Sequence, residues 1–69
     1  MNEFDTLYFD AKTGWTELNE TVEEALRGLR DDGNVEIEAD STVRSVHGLA
    51  CRTVAGNVDG EAFIVVGSA

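Results

Sequence analysis

His47 and Cys51 are the chain's single imidazole and single thiol. A thiolate activated by a neighbouring imidazole is the one nucleophile–base combination these residues offer. Four positions apart on an extended strand, the two lie ~13 Å from each other. Proton transfer needs them within ~3 Å. The pair works only if the chain reverses between them, and no third group is spaced to orient the imidazole. The pattern therefore predicts Cys51 as a small core residue and His47 as a strand-edge or turn residue. Two such ligands also fall short of the four that a structural zinc site requires.

The carboxylates invite a second chemistry, calcium binding. Asp31-Asp32-Gly33-Asn34-Val35-Glu36 holds acids and a glycine, without the ligand spacing or terminal bidentate glutamate of an EF-hand loop. Asn57-Val58-Asp59-Gly60-Glu61 is similarly short. Turn and cap roles account for both segments, because Asp, Asn and Gly dominate turns. Glu36 and Glu38 follow strand periodicity as a solvated face. No two acids are spaced to serve as general acid and base, and the glycines never form a phosphate-binding run. The residues thus predict a non-enzymatic protein with no catalytic residue, no cofactor and no metal. Arg44 and Arg52 share strand parity and read as rim salt-bridge partners rather than a nucleic-acid patch.

The elements that position these residues follow from periodicity. Asp5 to Asp10 alternates partly as a strand, and Asp10-Ala11-Lys12-Thr13-Gly14 is a hairpin turn in which Gly14 supplies a positive φ. Trp15 opens the returning strand. Leu18, Val22, Ala25, Leu26 and Leu29 then form one apolar stripe at helical spacing. Two starts compete for this helix. Thr21 and Glu24 make a capping box, but the stripe reaches back to Leu18, which predicts a helix of about residues 18–30 that could be capped by Thr16. Gly33 is positioned as a left-handed terminator. Gly28 lies inside the helix, where it costs ~1 kcal/mol relative to alanine.

Asn34 to Ala39 alternates as a strand, and Asp40-Ser41-Thr42 has turn chemistry. Val43 to Ala55 is either one strand bent at Gly48 or two strands turning at His47-Gly48. The bent strand is favoured, because His-Gly lacks the usual two-residue hairpin pattern. Gly56 to Gly60 connects to a last strand, Glu61 to Val66, with apolar residues on both faces.

The expected fold is a single α+β domain over residues 1–69. It has an N-terminal β-hairpin, one amphipathic helix and an antiparallel β-meander carrying the helix on one face. One helix covers one face of such a sheet, so the doubly apolar last strand calls for a second cover. Self-association as a homodimer is the simplest, with Trp15, Phe63 and Val65 as candidate interface residues, although Trp15 on its own reads first as a core lid over the helix and second as an exposed anchor for a partner. The alternative is a small-molecule pocket between helix and sheet, lined by Trp15, Tyr8 and Phe63. The remaining aromatics are Phe4 and Phe9.

A formal net charge of −9 on 69 residues, with Lys12 the single lysine, bounds the partners. It repels nucleic acid and anionic membranes and suits a basic protein partner. No segment has the length of a membrane span. The N-terminus has no basic stretch before an apolar run, and a lone cysteine fits a reducing, cytoplasmic setting. Few lysines, many acids and small apolar residues make the composition resemble that of proteins from salt-in halophilic archaea. Molar salt shortens the Debye length to ~3 Å and would silence most of the carboxylate repulsion. The melting temperature is therefore expected to rise between about 0.1 and about 2 M KCl. A flat or falling curve would remove self-repulsion as the dominant surface term.

Overall fold

The structure, a computed structural model, describes residues 6–68. Phe4 and Asp5 lie outside them. The elements run β1 (Thr6–Asp10), β2 (Gly14–Leu18), α1 (Val22–Asp32), β3 (Val35–Arg44), β4 (Ala50–Val58) and β5 (Glu61–Ser68). The strands form one antiparallel sheet in the order β2-β1-β5-β4-β3. The α+β fold, the N-terminal hairpin and the helix-bearing meander are as the sequence predicts.

The first turn is built by one carboxylate. Asp10 Oδ1 accepts from the Lys12 and Thr13 backbone N–H groups at 2.9 and 2.8 Å, and from Thr13 Oγ1 at 3.0 Å. The Thr13 N–H in particular holds the Asp10 carboxyl below the ordinary aspartate range. Gly14 closes the turn at φ +73°, where a side chain would be strained.

The helix starts later than its apolar stripe suggests. Thr21 Oγ1 accepts from the Glu24 N–H at 3.1 Å, and Glu24 Oε1 accepts from the Thr21 N–H at 2.9 Å. Two otherwise unpaired groups are thereby satisfied reciprocally. Leu18 belongs to β2 and reaches the core from the sheet side. The connection is pinned by the buried Thr6 Oγ1, which donates to the Glu20 carbonyl at 2.6 Å.

Gly33 ends the helix in extended geometry, φ −171°, rather than the left-handed form expected. A Cβ there would strike the Asp59 carboxylate, so a larger residue would displace that side chain. That carboxylate accepts from the Asn34 N–H at 2.9 Å, and the Asp59 N–H donates to the Asn34 carbonyl at 2.9 Å. The helix exit is thus stapled to the β4–β5 turn. In that turn Asp59 and Gly60 both have positive φ, +51° and +84°, the combination that matches strand twist in a two-residue hairpin.

Val43 to Ala55 is not one bent strand. The chain reverses over residues 45–49, and Asp40-Ser41-Thr42 lies inside β3, paired with Val54, Thr53 and Arg52. Ser45 makes the reversal possible. Its N–H donates to the Leu49 carbonyl at 2.7 Å, and its Oγ accepts from the His47 and Leu49 N–H groups at 3.2 Å each. Gly48 takes φ +82°. The β3–β4 register shifts between Ile37 and Ala39, a bulge.

The core lies between α1 and one face of β4 and β5. Val22, Ala25 and Leu26 come from the helix and meet Val54, Phe63 and Val65 from the sheet. Tyr8 stacks on Phe63 at a centroid distance of 6.4 Å.

Candidate functional site

Strand alternation sends successive β5 residues to opposite faces. Phe63 and Val65 point toward α1 and are 1% and 0% exposed. They are core residues, which removes them from the candidate interface. Trp15, the third candidate, is 56% exposed on the opposite face and so is not a core lid over the helix. The β5 residues that share its face are Ile64 and Val66, one position out of phase with the expected pair.

Registered pairing assembles that face into rows. Trp15 sits opposite Phe9, Phe9 opposite Ile64, Ile64 opposite Ala55, and Ala55 opposite Ala39. One uncharged, apolar row therefore crosses all five strands. The Phe9 and Trp15 rings are tilted by 52° at 5.1 Å, an edge-to-face type of contact. The adjacent row pairs Leu7 with Val66 and Val66 with Thr53. Carboxylates on this face come only from the outer strands, at Glu17, Glu36 and Glu38. Glu38 accepts from Asn57 Nδ2 at 2.7 Å. The three inner strands present no charge to it, and α1 covers only the other side of the sheet.

His47 lies in the exposed 45–49 turn and Cys51 on β4, exposed beside Val43. The chain does reverse between them, yet no hydrogen bond links the two. The cysteine is a surface residue rather than a core one. Among the described residues, no group of three or more His, Cys, Asp and Glu side chains is gathered as a metal site would need. Val46 and Leu49 are exposed in the same turn.

The helix side of the sheet is polar at its edge. Arg52 forks onto Asp40, Nε to Oδ1 at 2.9 Å and Nη2 to Oδ2 at 2.6 Å, while Nη1 reaches Glu23 Oε2 at 2.6 Å. One guanidinium thereby joins β4, β3 and α1. The hydrogen bonds from Arg52 hold the Asp40 and Glu23 carboxyls below their ordinary values, and both acids raise the Arg52 value. Parity marked Arg52 as a salt-bridge residue; its partners come from elements 12 and 29 positions away.

This cluster has a pH signature. A depressed carboxyl value in the folded state adds stability above the unfolded value of about 4, and that stability is lost as pH falls through the folded value. Arg52→Met should lower the melting temperature above about pH 5, with the gap to wild type closing toward about pH 2. A gap independent of pH would mean that Arg52 acts through packing alone.

A groove of about 180 Å³ lies between α1 and the N-terminal hairpin, lined by Tyr8, Leu18, Glu20, Ala25, Gly28, Leu29 and Asp32. Of the residues expected to line a helix–sheet pocket, only Tyr8 does so. Trp15 is on the far face, and Phe63 is sealed in the core. Among the described residues, no helix is long and apolar enough to cross a membrane. Comparison with protein-family models, curated proteins and solved structures found no match to the chain.

Proposed function

We propose that this chain is a non-enzymatic protein–protein interaction module that works as a homodimer, two copies joined through the open face of the sheet. The carrying observation is the uncharged row Trp15–Phe9–Ile64–Ala55–Ala39 across the full width of the sheet. A contiguous apolar patch on a small soluble domain marks a contact surface, and a cyclic dimer meets itself through one shared patch.

Charge argues for a second copy on this face. A chain of net charge −9 repels itself wherever carboxylates meet, and here the inner strands bring none. Edge-to-edge pairing is discouraged, because β3 carries Glu36, Glu38 and Asp40 along its free edge. The acidic helix side stays outward in such a dimer and suits a basic protein partner. The composition is that of a protein adapted to molar salt, in which face-to-face packing of two acidic copies meets little long-range repulsion.

Trp15 is the only tryptophan and stands on the proposed contact face. Its emission in about 2 M KCl should shift to shorter wavelength as protein concentration rises from nanomolar to micromolar. An emission maximum that stays constant at the value of a solvent-exposed indole would contradict the reading.

A further inference from the structure

We propose that the free edge of β3 takes up an extended basic strand of a partner protein, one in which cations alternate with β-branched apolar residues. β3 is the longest strand of the sheet, ten residues, and lies at its margin with every residue from Glu36 to Arg44 exposed. Its one ladder runs to β4. Among the described residues, no other backbone hydrogen bond involves β3. The N–H and C=O groups turned away from β4 therefore have no protein partner, and such a row is a template for a further strand.

The side chains along this edge set the chemistry of that strand. Glu36 and Glu38 stand on the open face of the sheet with Cα atoms ~7 Å apart. Among the described residues, Glu36 makes no ion pair, and the one hydrogen-bond partner of Glu38 is the neutral Asn57 amide at 2.7 Å. Asp40, by contrast, already meets Arg52. A strand added ~4.8 Å away puts every second side chain on the open face, where lysine or arginine meets the two uncompensated carboxylates. The residues between them turn to the other face beside the exposed Ile37, where β-branched side chains pack. Residues 39–44, past the register shift, pair regularly with β4 and lengthen the seat. A second copy is a poor occupant, because it brings the same carboxylates and a charge of −9. The opposite edge, β2, offers five residues and one carboxylate, Glu17. The inference rests on the reading of the chain as an interaction module with a basic partner, but not on the dimer. The edge groups lie in the plane of the sheet and stay free when two faces pack.

The probe is the acetylated, amidated peptide Lys-Val-Lys-Val-Lys-Val-Lys, titrated into ¹⁵N-labelled protein in the lowest KCl that keeps wild type folded. It should give saturable amide shifts over residues 36–44 and slow hydrogen exchange there. Lys-Pro-Lys-Pro-Lys-Pro-Lys keeps the charge and loses strand pairing, and should bind at least tenfold more weakly. Glu36→Gln combined with Glu38→Gln, both at exposed positions, should weaken the valine peptide severalfold. Equal affinity for the two peptides would overturn the proposal. So would shifts centred on β2 or α1, binding unchanged in the double variant, or β3 exchange that slows with protein concentration alone, which would place a second copy on the edge. The mass of the same samples reads the sheet-face dimer separately: peptide binding by a monomer contradicts the dimer only, and a dimer that ignores the peptide contradicts the β3 site only.

Discussion

Phe63→Ala should cost about 3–5 kcal/mol, whereas Ile64→Ala, one residue further along the same strand, should cost about 1 kcal/mol at concentrations that keep the chain monomeric. Phe63 is sealed between β5 and α1 with Leu26, Val54 and Val65, so its removal leaves a cavity that the neighbours fill only partly. Ile64 is half-buried among Phe9 and Ala55 on the uncovered face and leaves no enclosed void. A domain of this length holds roughly 3–10 kcal/mol in total. The first substitution therefore removes a large share of that stability and the second does not. Urea unfolding of both variants at low protein concentration decides the matter, and equal losses would contradict the assignment of faces.

Gly56→Ala should destabilise the domain by about 1–3 kcal/mol, a fall in melting temperature of about 4–8 °C for each kcal/mol. Gly56 is buried in β4 opposite Ile37, next to the register shift in β3. A Cβ there would strike the Glu36 carbonyl oxygen and lie 3.0 Å from Ile37 Cα. Both obstacles are backbone, so relief requires β3 to move away and strain its pairing. Gly28→Ala makes the same chemical change with the opposite expected sign. Its Cβ meets open space, and alanine is the better helix residue by up to about 1 kcal/mol. Thermal melts of the two variants under one buffer condition should move in opposite directions. A Gly56→Ala protein as stable as wild type would place the β3–β4 register elsewhere.

The elements that could be read from the sequence are those with a local cause. The stripe of Val22, Ala25, Leu26 and Leu29 marks the helix, and the Asp10–Gly14 turn is written in its own side chains. The helix start was harder, because Leu18 extends the stripe by coincidence. Leu18 reaches the core from a strand, and the Thr21–Glu24 box sets the boundary. The reversal at residues 45–49 carries no Asn-Gly signal, since a serine hydroxyl supplies its acceptor. Asp40-Ser41-Thr42, with good turn chemistry, is held extended by β4 across from it.

The candidate sites divide in the same way. That β5 is apolar on both faces is visible in Phe63-Ile64-Val65-Val66. Which half meets the helix is not, because no charge alternates along the run to mark the solvent side. Only register with Val54 on one side and Tyr8 on the other resolves it. The partners of Arg52 and the lining of the groove come from distant elements, beyond any periodic signal.

Light scattering behind size exclusion in about 2 M KCl tests most directly whether the open sheet face joins two copies. Wild type should elute with twice the 7.5 kDa chain mass, and Ile64→Asp, which places a carboxylate in the middle of the apolar row, should elute as a folded monomer. A wild-type protein that keeps the mass of a single chain up to the highest attainable concentration would contradict it.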